Sequence, residues 1–299
     1  MKVVRNISFH AGRLPRGAAS ILEPTGCRSE DAEVVSFTIG DATTIRVYLH
    51  LEEGDPRIGR VFELLQHHGI ESDSYADYEF TEEDRQSAPL LIMSPDFDAY
   101  VEAGASEGTR YDLTAICPNC GMGAQLDPPL YISRAHLPIL RKHRAIGCTN
   151  SGILADGGMV KKLRDNNVTG IAGFGEVYAR MKNGGQSLVA REQIFIGHTL
   201  PPQAPGSQLD REKACPLCYR GNMSFLQPGP FRTVYRRKDL NDIRDMNLTW
   251  EWYGTLRVHE DPRRILVPYR KNLVTPKVMN IFREAGVTTF EWTPIFVED

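Results

Sequence analysis

The stretch TTIRVYLHL, residues 43–51, alternates β-branched and polar positions, which predicts a strand. The period then changes. In RIGRVFELLQHHGI, Ile58, Val61, Leu64 and Leu65 fall on one face of a helix, and Gly69 supplies its stop. Thr81 stands three residues before Asp84, a capping box for a short helix that Pro89 ends. LLIM after that proline reads as a buried strand. Residues 94–110, SPDFDAYVEAGASEGTR, are polar, and a domain boundary is expected near their end. PPQAPGSQLDREK, residues 201–213, is the other long loop.

Two distant segments share one pattern. ILADGGMVKKLRDNNVTGIAGFGEVY starts at Ile153, and ILVPYRKNLVTPKVMNIFREAGVTTFEWTPIF starts at Ile265. With Val168-Thr169 set against Val287-Thr288, an offset of 119, Leu163 meets Phe282, Arg164 meets Arg283 and Asp165 meets Glu284. Each predicts strand, helix, tight turn, strand, and each follows a Cys-x-x-Cys turn. RVFELLQHHGIESDSY is a fainter third copy without cysteines.

Those turns carry the clearest chemistry. AICPNCGMGA holds Cys117 and Cys120, and ACPLCYRGN holds Cys215 and Cys218, with 94 residues between the pairs. Each turn offers two thiolates, and Gly121 can take the positive φ such a turn requires. In the second turn Tyr219 stands in place of that glycine, and Gly221 is expected to relieve the strain. Redox and unpaired structural thiols are the competing readings. A redox pair would open a helix, whereas a Gly-rich coil follows Cys120, which favours metal. Closing a 94-residue loop costs about 4 kcal/mol plus a constant, against roughly 10–16 kcal/mol from a structural zinc. Four thiolates leave no open coordination position, so the Zn2+ is read as structural. The fold class expected is α+β. An N-terminal α/β part, residues 1–110, precedes a tandem strand-helix-strand repeat, residues 111–299, clasped by a four-cysteine zinc-ribbon-like site.

Composition narrows the class. Of 299 residues, 41% are hydrophobic and 24% charged, as in folded soluble domains. No apolar run reaches the length of a membrane span and the N-terminus lacks a secretory h-region, so a cytoplasmic protein with no membrane partner is expected. Six cysteines are too few for a disulfide scaffold. The net charge of −3 hides an asymmetry: residues 1–110 carry 10 basic and 20 acidic residues, the remainder 25 and 18. The acidic residues Glu79, Glu82, Glu83, Asp84, Asp96, Asp98 and Glu102 could meet a basic partner; solvation is their ordinary role.

Candidates for catalysis are thin. Cys148, five residues after His143, is a conceivable nucleophile but reads better as a small buried residue, as does Cys27. GIAGFG, residues 170–175, lacks the Lys-Ser/Thr of a phosphate loop. His67-His68 suits a helix end, and His198 stands alone. No acid–base pair can be assembled, and an enzyme is not expected. Nucleic-acid binding is the alternative function. Arg232, Arg236, Arg237 and Lys238 interleave with Phe231 and Tyr235, and Arg263, Arg264, Arg270 and Lys271 follow. Charged edge strands explain the same pattern.

CPNCG and CPLCY, with the closing Gly286, Val287, Thr288 and Pro294, resemble the bacterial double-CxxCG motif proteins. That family includes immunity proteins of polymorphic or contact-delivered toxin systems. The likeness covers residues 111–299. This chain departs from it in the missing second glycine, the long separation of the motifs and its length. The resemblance implies a non-enzymatic protein that binds and neutralises a cognate toxin, with Cys117, Cys120, Cys215 and Cys218 as zinc ligands. It assigns no toxin-contacting residue.

Overall fold

Alternating apolar positions build the first sheet. A computed structural model describes residues 1–12, 14, 16–39, 42–96, 99–181, 185–224, 230–254 and 267–299. These fall into two compact units, 1–81 with 230–231, and 82–224 with 232–299. The first unit runs β1 (Lys2–His10), α1 (Ala19–Thr25), β2 (Ala32–Ile39), β3 (Ala42–Glu52), α2 (Arg57–His67) and β4 (Ser72–Glu79). The sheet order is β2-β3-β1-β4, antiparallel throughout. This βαββαβ chain with its central strand first is the ferredoxin-like split βαβ topology. Ile7 and Phe9 of β1 and Val47, Leu49 and Leu51 of β3 all face the same way. They meet Ile21 of α1 and Val61 and Leu65 of α2. Each such side chain contributes about 1.5–3 kcal/mol by leaving water. The predicted strand and helix are β3 and α2, and Gly69 does take a positive φ of 64° just past the helix.

The second unit begins with α3 (Glu82–Ser87), β5 (Leu91–Pro95), β6 (Tyr100–Val101), β7 (Arg110–Asp112), β8 (Gln125–Asp127), β9 (Leu130–Ser133) and α4 (Leu137–Lys142). It continues with β10 (Ala145–Cys148), β11 (Gly152–Ala155), α5 (Gly157–Asp165), β12 (Ile171–Arg180), β13 (Gln186–Ile196), β14 (Val234–Arg236) and β15 (Met246–Leu248). It closes with β16 (Asn272–Val274), α6 (Pro276–Glu284), β17 (Phe290–Pro294) and β18 (Phe296–Glu298). The two main sheets are β6-β10-β11-β13-β12-β9 and β15-β16-β5-β17; β7-β8 and β14-β18 are short pairs. The chain is therefore mixed α+β.

The helix-bearing segments adopt one topology. β11 and β12, joined through α5, lie either side of the antiparallel β13. β16 and β17, joined through α6, lie either side of the antiparallel β5. In the first unit β3 and β4, joined through α2, flank β1 in the same way. Hydrogen bonds correspond as well. Asp156 N–H donates to Arg144 O (2.7 Å) and Thr275 N–H to Asp245 O (3.0 Å). Val168 N–H donates to Leu163 O (3.1 Å) and Val287 N–H to Phe282 O (3.0 Å). Met159, Val160 and Leu163 of α5 and Val278, Met279 and Phe282 of α6 share one core with both sheets.

The polar stretch 94–110, read as holding a boundary, instead carries β6 into the six-stranded sheet. The division falls after Thr81 because β5 is clamped between β16 and β17 and belongs with them. The second strand-helix-strand segment starts at Asn272; Ile265 lies outside the described residues.

Candidate metal centre

The first Cys-x-x-Cys turn sits in the loop joining β7 to β8, which pair as a hairpin. Cys117 N–H donates to Met122 O (2.8 Å), and Gly121 N–H donates back to Cys117 O (2.8 Å). Gly121 takes φ 73° to make that return. The second turn repeats the design without a hairpin. Cys215 N–H donates to Gly221 O (2.9 Å) and Tyr219 N–H to Cys215 O (2.9 Å). Tyr219 itself, not Gly221, adopts the left-handed conformation, at φ 57°. Gly221 serves a different need. A Cβ on it would stand 2.4 Å from Cys120 Sγ, so only glycine lets the second turn approach the first this closely.

The turns bring all four sulfurs together. Cys117 Sγ lies 3.6 Å from Cys215 Sγ and Cys120 Sγ 3.5 Å from Cys218 Sγ, with all four Sγ atoms within 4.8 Å of one another. A tetrahedron of thiolates about 2.3 Å from a central ion has edges of about 3.8 Å, close to these separations. Cys117, Cys120 and Cys215 are buried and Cys218 half-buried, so the cluster is shielded from water. Asn119 Nδ2–H donates to Cys215 Sγ at 3.3 Å. Burial opposes ionisation of Cys215, but the backbone N–H groups of Cys218 and Leu217 and the Asn119 amide outweigh it and lower this thiol to about 6. Cys120 moves the other way: burial and the adjoining sulfurs push its thiol well up. Four clustered sulfurs cannot all ionise without a cation among them, and an all-sulfur tetrahedral donor set suits a soft or borderline metal ion. The cluster can therefore hold a metal ion, and its four-sulfur shell leaves no position for substrate.

The other candidates resolve into packing. Cys148, on β10, is fully enclosed, and burial pushes its thiol up to about 12, far from a nucleophile. Cys27 is part of the first unit's core. GIAGFG enters β12, paired along β13, and Gly170 is needed there because a Cβ would stand 2.0 Å from Met246 O. His67 ends α2 and meets His68 edge-on at 5.2 Å. His198 O accepts from Leu248 N–H (2.8 Å).

The sequence matches no protein-family model and no curated protein. Among the described residues no helix is long and apolar enough to cross a membrane.

The charged stretches are largely engaged within the chain. Arg236 pairs with Glu298 (3.9 Å) and Arg237 with Asp299 (3.1 Å), while Arg232 lies 4.8 Å over the Phe296 ring. Tyr235 is fully buried, Arg263 and Arg264 lie outside the described residues, and Lys271 stands 5.2 Å from the Tyr253 ring. On the acidic side Glu79 pairs with Lys2 (2.8 Å) and Glu82 with Arg283 (2.6 Å); Asp98 lies outside the described residues. Asn119, which sequence reading passed over, had a visible signal: an amide between two predicted ligands.

Proposed function

We propose that Cys117, Cys120, Cys215 and Cys218 hold one structural zinc ion, and that the protein is a non-enzymatic, cytoplasmic partner-binding protein of the toxin-neutralising kind. The observation that carries the metal assignment is the convergence of four sulfurs within 4.8 Å from turns distant in sequence. The matching strand-helix-strand segments are read as a tandem repeat that the zinc clasps. The toxin-neutralising role rests on the resemblance of the two Cys-x-x-Cys turns to the double-CxxCG motif proteins.

One local feature favours a binding face on the second turn. Leu217 and Tyr219 project from it 63% and 68% exposed. Tyr219 bears the backbone strain that glycine avoids in the first turn, and a bulky residue in that conformation costs about 1–2 kcal/mol. Local rules are broken in this manner where a side chain serves another purpose. Rigid anchoring on a metal turn suits an aromatic and an aliphatic contact residue. The nucleic-acid alternative gains less support, because Arg232, Arg236 and Arg237 already have partners.

The test is co-purification of the full chain with the product of the adjacent gene at moderate salt. The double variant Leu217→Ser, Tyr219→Ser should keep its zinc and its Tm while binding at least roughly tenfold more weakly, as loss of interface anchors does. A complex unaffected by the double change would move the face elsewhere, and no complex at all would remove the toxin-neutralising reading.

A further inference from the structure

A strand at the edge of a sheet turns half of its backbone groups away from its neighbour. In the first unit β2 is such a strand, paired on one side only, with β3. His50 N–H donates to Asp31 O (2.9 Å), which extends the β2–β3 ladder by one pair. Facing pairs of an antiparallel ladder alternate between bonded and non-bonded. Glu33, Val35 and Phe37 therefore spend their N–H and C=O groups on β3, while Ala32, Val34, Ser36 and Thr38 turn theirs outward. Among the described residues nothing bonds to that outer edge.

The other edges of the main sheets are guarded. β4 carries the carboxylates of Asp73, Asp77 and Glu79, and Tyr78 N–H donates to Asp77 Oδ1 (2.8 Å). Arg85 Nε–H donates to Trp292 O of β17 (3.1 Å). On β9, Tyr131 O accepts from Gly104 N–H (3.3 Å) and Tyr131 N–H donates to Thr109 Oγ1 (2.8 Å). Leu248 O of β15 accepts from Leu200 N–H (3.0 Å), and β6 is only two residues long. β2 has none of these devices. It is eight residues long, pairs with β3 without a bulge, contains no Pro, Lys or Arg, and has Glu33 as its one charge. Val34 is 51% exposed on it. A long, regular, nearly uncharged edge is one that proteins avoid leaving bare, so the geometry calls for a strand to cover it.

We propose that this strand is β2 of a second copy of the chain, paired antiparallel about a two-fold axis through Val35, so that the two four-stranded sheets become one. The sequence of β2 matches itself in that register. Val34 faces Ser36 of the second copy and Ala32 faces Thr38, so all four outward residues on each side gain partners. Val35 meets its own counterpart on the axis, and Glu33 stands opposite Phe37, so no charge faces a like charge. Such a match is what an isologous contact requires, and it selects a second copy over a foreign strand. One pair of eight-residue strands makes a small interface, which places the association in the weak, reversible class. This inference stands independently of the toxin-neutralising reading.

The test is sedimentation velocity of the metal-loaded full chain between about 1 and 200 μM, a range suited to small interfaces. The chain should pass from monomer to dimer across that range and go no further. Ser36→Pro removes an outward N–H and leaves the bonds to β3 in place, so it should abolish the dimer while keeping the monomer's Tm at the lowest concentration. Val35→Lys and Val35→Glu each set like charges against one another on the axis and should each weaken the dimer about tenfold. Mixed in equal amounts, those two variants should dimerise again, which loss of folding could not produce. The proposal is overturned if the parent stays monomeric throughout or forms species larger than a dimer. It is equally overturned if Ser36→Pro dimerises as the parent does, or if the mixture of the two Val35 variants associates no better than either alone.

Discussion

Two residues of the second turn, Tyr219 and Gly221, carry the most specific expectations. Tyr219→Gly should relieve about 1 kcal/mol of left-handed strain, partly offset by the freedom glycine adds to the unfolded chain. Thermal unfolding of that variant should therefore match or slightly exceed the parent, with metal content unchanged. A Tm several degrees lower would mean the ring packs where its 68% exposure says it does not. Gly221→Ala is the opposite case. Its Cβ would meet Cys120 Sγ at 2.4 Å, so the turns must part. Metal affinity should fall on the order of tenfold or more, the scale at which supports of metal ligands act, as read by competition with a chromophoric chelator. The four cysteines were legible because ligand spacing is local. The role of Gly221 was not, because it depends on how closely one turn approaches the other, and no local pattern encodes that distance.

At the level of elements, Asp245 ties the helix-bearing halves of the second unit together. Its carboxylate accepts from Thr169 N–H (2.9 Å) and Oγ1–H (3.0 Å) at the entrance to β12, and from Thr275 Oγ1–H (3.1 Å) and Lys277 Nζ (3.0 Å) at the start of α6. Burial alone would raise this carboxyl; the Thr169 N–H, Lys277 and the Thr169 hydroxyl hold it below the ordinary value. Asp156 is similar: burial is outweighed by Arg144 and by the Met159 N–H, to which it caps α5 (2.6 Å). A depressed folded-state pKa stabilises above the unfolded carboxylate pKa, and that contribution is lost as pH falls through the folded value. Asp245→Ala should thus cost about 1.5–3 kcal/mol at neutral pH, and the difference from the parent should shrink on acidification in denaturant titrations. A penalty independent of pH would assign the loss to packing instead. The helices α2, α5 and α6 were legible from their apolar periods. β5 was legible too, as the buried strand after Pro89, but its place between distant partners was not. β5, at Leu91–Pro95, completes a sheet with β16 and β17, whose residues lie beyond position 270, and hydrophobic alternation cannot say which distant strand fills the gap.

At the scale of the molecule, each unit has its own core, and only the second contains the four clustered cysteines. A structural zinc contributes roughly 10–16 kcal/mol, as much as a typical domain's entire stability of about 5–15 kcal/mol. Removing the metal with a chelator should therefore speed amide exchange around both turns and in β7 and β8, while β1 and β3 keep their protection. Equal loosening of both units would show that the metal acts on the whole chain rather than on the second unit. The charge asymmetry was visible in the sequence; one of its carboxylates, Glu82 at the start of α3, is engaged by Arg283 of α6. What the sequence showed best was the ligand set, and the assignment of zinc to it is open to direct measurement. X-ray absorption at the zinc edge, with metal stoichiometry on the same full-length sample, reads the ion, its donors and their distances together. The prediction is about one zinc per chain with four sulfur neighbours at about 2.3 Å and no nitrogen or oxygen donor. A fully folded chain without metal, or a zinc with fewer than four sulfurs, would contradict it.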